Sequence, residues 1–137
     1  MKGYRIAFIR HGMTQANLDG RYIGTTDLPL CREGADQLYE KIEKYDYPSV
    51  QKVYTSPLKR CKQTISILQP NRLVAEMPEL REMDFGKFEN KTADELMNDP
   101  DYEQFIKGGL DNPPPNGEST REVINRCYEA LNIIISD

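Results

Sequence analysis

Residues Ile6 to Ile9 form a short apolar run that stops abruptly at Arg10, His11 and Gly12 and continues as Met13-Thr14-Gln15-Ala16-Asn17. A run of this kind reads as a buried strand delivering a reactive group to its carboxyl edge, where ligands of open α/β sheets bind. The expected fold class is therefore α/β. His11 is the only histidine in the chain, so imidazole chemistry takes place there or nowhere. Gly12 gives the backbone freedom to turn and approach a ligand, while Thr14 and Asn17 put a hydroxyl and an amide on the loop that leaves the strand.

An imidazole beside a guanidinium suits attack on a phosphoryl group. Neutral histidine is the nucleophile, and Arg10 offers a planar fork of donors to the oxygens of an anion. A lone histidine at a strand end is more often a structural residue, so Arg-His-Gly alone leaves both roles open.

With 137 residues the chain fits one domain, 1–137, able to remove about two-thirds of its unfolded-chain surface from water. A net charge of -4 argues against a general binder of nucleic acid or membrane surfaces, so an anionic partner must be small and met by local positive charge. The apolar run after Met1-Lys2-Gly3-Tyr4-Arg5 is too short for a signal peptide or a membrane span, and a cytoplasmic location is expected. Cys31, Cys61 and Cys127 are odd in number and widely spaced, as for reduced thiols, and none is followed by the arginine that a cysteine-dependent phosphatase loop needs. There is no Walker-type glycine loop, and one histidine with scattered carboxylates makes a poor metal site. No metal or other cofactor is expected.

Downstream, Leu18 to Leu30 is a turn-rich, substrate-facing loop in which Arg21 is either a further anion contact or a solvated charge. Ala35, Leu38, Tyr39 and Ile42 recur at helical spacing, predicting a helix over Arg32 to Lys44 that packs on the sheet. A second strand is predicted over Val50 to Tyr54, followed by a helix capped by Ser56 with Pro57 at its first position. Arg60 then falls in the opening turns, close to the edge that carries His11, where free backbone donors also favour an anion. A third strand spans Leu73 to Ala75. The stretch Glu79 to Gly86 is dense in carboxylates, and a carboxyl partly screened from water beside a phosphate is favoured in the protonated form that a general acid needs. Thr92-Ala93-Asp94-Glu95 and Ser119-Thr120-Arg121-Glu122 are capping boxes that open helices, with Asp99-Pro100 interrupting the first and Gly108 ending the next. Pro113 to Pro115 is a stiff connector.

Taken together, Arg10 to Asn17, Tyr22-Ile23-Gly24, Asp27 to Leu30, Thr55 to Arg60, Leu80 to Gly86 and Pro115 to Ser119 resemble the signatures of the histidine phosphatase superfamily, the phosphoglycerate mutase-like enzymes. The resemblance implies a three-layer α/β/α fold with a mainly parallel sheet. It also implies a phosphomonoester hydrolase working through a phosphohistidine on His11, with Arg10 and Arg60 on the phosphoryl oxygens and Glu82 as general acid. Thr14, Asn17, Arg21 and Gly24 would complete the substrate-facing set, while Glu79, Asp84 and Glu89 are expected to be solvated or capping groups. The short stretch between Gly86 and Pro115 is more like the small phosphatases, such as those acting on α-ribazole phosphate, than the longer mutases; a phosphoglycerate mutase and a non-catalytic phosphate-binding form are the alternatives. Members of the family carry a second His-Gly pair on a later strand, and the sequence reaches Asp137 without it. The resemblance thus covers the amino-terminal two-thirds or so of a typical member. The corresponding expectation is an open sheet beside Ile6 to Ile9 that self-associates, and little activity from these 137 residues alone.

Overall fold

The computed structural model describes residues 1–137. The chain runs α1 (Gln15–Leu18), α2 (Arg32–Lys44), β1 (Val53–Thr55), α3 (Lys59–Leu68), β2 (Val74–Glu76), α4 (Ala93–Leu96), α5 (Pro100–Lys107) and α6 (Thr120–Ser136), with single 3-10 turns at Pro78–Leu80 and Gly86–Phe88. β1 and β2 pair in parallel, Val53 opposite Val74 and Thr55 opposite Glu76. Parallel neighbours require a crossover, and α3 provides it.

The predicted helix over Arg32 to Lys44 has those bounds. Cys31 caps it, its sulfur accepting from Gly34 N–H, and Lys41 and Lys44 lie in the last turn, where cations oppose the helix dipole. Leu38 is buried against its surroundings, whereas Tyr39 and Ile42 of the predicted apolar stripe are exposed. Both capping boxes form as read: Thr92 with Glu95 before α4, and Ser119 with Glu122 before α6. Asp99 caps α5, whose first residue is Pro100, and Gly108 ends it at a positive φ of 57°.

Two expectations are corrected. Ile6 to Ile9 is not a paired, buried strand: Phe8 is 82% exposed, Ile6 and Ile9 are 42% exposed, and no backbone group from Met1 to Gly12 is bonded to another backbone group. An apolar run carries the preference for extended backbone, but a strand exists only where a neighbour supplies the ladder. The helix after β1 also begins two residues later than read. Pro57 precedes it, Leu58 is its cap residue, and Ser56 Oγ accepts from Leu58 N–H at 3.2 Å.

A buried apolar cluster is built around the Gly86–Phe88 turn. Phe88, Leu96 and Tyr102 are buried there, with Tyr22, Phe85 and Phe105 packed around them. The rings meet tilted or edge to face at centroid distances of 5.2 to 5.9 Å, which is the favourable geometry for aromatic quadrupoles. Tyr22 and Tyr102 also share a hydroxyl hydrogen bond of 2.8 Å. Burial, then that bond, push the Tyr22 phenol up to about 12. The cluster fixes residues 85–89 against the loop around Tyr22.

Candidate active site

His11 sits half-buried where the exposed amino-terminal segment turns into the fold. Gly12 makes the turn possible, although for a different reason from the one expected: a Cβ there would lie 2.8 Å from Leu38 Cδ1 and 3.1 Å from Leu30 Cδ2, so the missing side chain admits α2's leucine rather than a ligand. Gly12 N–H donates to Thr64 Oγ1 at 2.9 Å, and the Thr64 hydroxyl donates to Arg60 O at 2.7 Å. That buried hydroxyl couples the histidine loop to the first turns of α3. Nothing in the sequence signals it, because a threonine bonding back to the carbonyl four residues earlier looks like any other helical threonine.

The imidazole is held by its own neighbour. Nδ1 lies 2.6 Å from Gly12 O, and a carbonyl only accepts, so Nδ1 carries the hydrogen and Nε2 of the neutral ring carries the lone pair. Burial pushes His11 below its ordinary 6.5; the bond to Gly12 O opposes this, and the charges of Arg60 and Arg10 add to it, while Glu82 pulls the other way. Three of the residues expected beside the histidine are therefore close enough for their charges to act on it.

Arg60 is 1% exposed. Its terminal nitrogens donate to Thr26 O at 3.0 Å and Gly24 O at 2.7 Å, and its Nε is buried with no partner. The guanidinium thus holds the loop that runs past the site as well as placing charge near His11. The start of α3 is not the open anion site expected, since Asp27 Oδ1 accepts from Lys59 N–H at 2.7 Å.

The same loop is also gripped by Glu89, expected to be a solvated or capping group. Its carboxylate accepts from Gly24 N–H at 3.0 Å, Thr25 N–H at 2.9 Å, Thr26 Oγ1–H at 2.8 Å and Phe85 N–H at 3.2 Å. Gly24, read as a substrate contact, has both backbone groups engaged in this clamp, and a Cβ on it would stand 1.6 Å from Met83 O. Only glycine fits. Arg21 is likewise engaged elsewhere: it donates to Asn90 O at 2.9 Å and pairs with Glu95 at 3.2 Å. Thr14 and Asn17 close on each other as a reciprocal cap of α1, Thr14 fully buried.

Arg10 and Glu82 are both exposed. Glu82 is thus not the screened carboxyl expected; its Oε1 accepts from Met83 N–H at 2.8 Å. The loop that bears it is bonded to Arg126 and Glu118, neither of which was read as a site residue. A shallow depression of about 300 Å³ lined by Tyr47, Pro48, Val50 and Arg72 lies at the amino end of the two strands and includes none of these groups. No helix is long and apolar enough to cross a membrane.

The chain matches the family model of the histidine phosphatase superfamily (branch 1) over residues 6–137. A Cronobacter sakazakii protein named "Probable phosphoglycerate mutase GpmB" is 31% identical over 133 residues, which is 93% of this chain and 61% of the relative. Among solved structures, the alpha-ribazole phosphatase of Shigella flexneri superposes with a TM-score of 0.84 at 30% identity, covering 93% of this chain and 65% of that one. A phosphoglycerate mutase of Thermus thermophilus superposes with a TM-score of 0.72 at 33% identity, covering 90% and 68%. The chain spans about three-fifths of the length of the curated relatives it matches. Its architecture is that of the phosphoglycerate mutase-like fold, of which it covers part.

Proposed function

Because the chain belongs to the histidine phosphatase superfamily, we propose that the protein hydrolyses a small phosphomonoester through a phosphohistidine on His11. One observation carries the reading: with Nδ1 tied to Gly12 O, Nε2 presents the lone pair of an imidazole whose neutral form burial and two arginines favour. In the proposed reaction Nε2 attacks phosphorus and the bond from phosphorus to the leaving oxygen breaks. Glu82 gives a proton to the departing alkoxide, and water then cleaves the phosphohistidine to release phosphate. Arg10 and the N–H groups of Arg60 not engaged by the loop would neutralise the equatorial oxygens. No step requires a metal.

The relatives named phosphoglycerate mutase support a second reading, in which the phosphoryl group returns to a substrate hydroxyl instead of passing to water. Incubation with a labelled phosphomonoester, following free phosphate and acid-labile phosphoprotein, tests both. Transient labelling lost in His11→Ala, with net release of phosphate, is the result expected of the phosphatase. Transfer between two positions of a glycerate without net release would replace it by the mutase, and turnover retained by His11→Ala would overturn both. Glu82→Gln should slow an alkyl phosphate by roughly 100-fold or more and barely affect an activated aryl phosphate.

A further inference from the structure

The segment that carries Glu82 has little regular structure of its own. Past the 3-10 turn at Pro78–Leu80, its backbone crosses toward Asp84 as irregular chain. Irregular backbone has to find partners for its carbonyls and amides, and here a large share of them come from one helix. Arg126, on the second turn of α6, donates through Nη1 to Glu79 O at 2.9 Å and Arg81 O at 3.0 Å, and through Nη2 to Glu82 O at 3.4 Å. One guanidinium thereby gathers carbonyls on both sides of the Glu82 Cα.

That guanidinium is itself fixed. Its Nε and Nη2 form a two-pronged pair with Glu118, both bonds 2.8 Å. The pair is enclosed, the Arg126 and Glu118 side chains being 12% and 16% exposed. Glu118 then reaches the same segment a second time, accepting from Asp84 N–H at 2.9 Å and from Arg81 Nη2 at 3.0 Å, while its own N–H donates to Asp84 O at 2.9 Å. A forked, planar donor matched to a carboxylate is the geometry in which arginine has no equal, and lysine cannot reproduce it.

We propose that Arg126 and Glu118 are the positioning residues of Glu82: the pair sets where its carboxyl stands relative to Nε2 of His11, and so governs protonation of the leaving group without touching substrate. The proposal rests on the phosphohistidine reading above. The Glu82 side chain bonds only to Met83 N–H next to it, so its placement is left to the backbone that Arg126 and Glu118 hold.

The test uses Arg126→Met, which keeps length and apolar contact, and Arg126→Lys, which keeps charge, in the intact protein. For Arg126→Met, kcat/KM on an alkyl phosphate should fall about 10- to 100-fold, while that on p-nitrophenyl phosphate and the affinity for orthovanadate stay within about twofold. Lysine should restore less than half of the loss on a logarithmic scale. In the double variant with Glu82→Gln the two losses should not add, as for residues acting through one step. Equal losses on both leaving groups, full rescue by lysine, or additive losses would overturn the proposal. Hydrogen exchange separates this outcome from failure of the function itself. If His11→Ala shows that His11 is not the nucleophile, faster exchange at Met83 and Asp84 in Arg126→Met, with the α6 interior unchanged, would still establish that the brace orders the segment. Unaltered exchange there would refute it.

Discussion

Replacing Glu89 by alanine takes the acceptor away from three backbone N–H groups and two hydroxyls at once. Gly24 is buried, so its N–H meets no water when the carboxylate goes, and an unsatisfied buried donor costs about 1 to 3 kcal/mol. Thr25 and Phe85 are half-buried; water can replace part of what they lose, and about 0.5 to 1 kcal/mol each is a fair allowance. The expected loss is about 2 to 5 kcal/mol, a large share of the roughly 5 to 15 kcal/mol that holds a domain folded. For a chain of this size that corresponds to a fall in Tm of roughly 7 to 17 °C. Glu89→Gln should fall between, since its amide keeps one acceptor oxygen but turns an NH2 toward donors. Thermal and urea unfolding followed by circular dichroism give the magnitude, and amide exchange at Gly24, Thr25 and Phe85 gives the location. A Tm within about 2 °C of the parent, or faster exchange spread over the whole chain rather than centred on those amides, would refute the clamp.

The remaining predictions concern His11 and the fit of the loop. Because burial holds the folded imidazole below 6.5, the unfolded chain binds the proton first as pH falls; the His11 contribution to stability is fully present above pH 6.5 and is lost as pH drops through the lower folded value. An NMR titration of the ring should give a midpoint below 6.5, and the acid limb of kcat/KM should share it; a midpoint above 6.5 would contradict the burial and the arginine charges together. Gly24→Ala should be nearly unfoldable, because its Cβ would be 1.6 Å from a backbone oxygen. Gly20→Ala, at φ +69° with nothing within 4 Å, should cost only about 1 to 2 kcal/mol. Similar melting temperatures for the two variants would show that the contact between Gly24 and Met83 is not tight.

What the sequence made legible was mostly what closes within four residues, with the start of α3 and the Thr14–Asn17 cap as exceptions. The bounds of α2, the two capping boxes and the break at Asp99-Pro100 need only neighbours at short, fixed offsets, and they appear as read. The Ile6 to Ile9 run failed for the opposite reason, since its composition reports a preference and its hydrogen-bond partner is not written nearby. Glu89, Arg126 and Thr64 were passed over on the same ground. Glu89 meets its loop partners 63 to 65 positions away, Arg126 meets its carbonyls 44 to 47 positions away, and Thr64 meets Gly12 at 52.

These long-range groups nevertheless follow a rule of sign. Residues 24–26 have little regular structure, and their N–H groups are met by a carboxylate, Glu89, while their carbonyls are met by a guanidinium, Arg60. The segment around Glu82 repeats the pattern, its carbonyls met by Arg126 and the N–H of Asp84 by Glu118. A chain that leads two irregular segments past His11 must satisfy two sets of orphaned donors and acceptors, and a charged side chain meets several at once where a neutral one meets one or two. It follows that some acids and arginines near such segments serve backbone rather than substrate. The excess of charged residues over those the chemistry needs is a cost of building the site from loops.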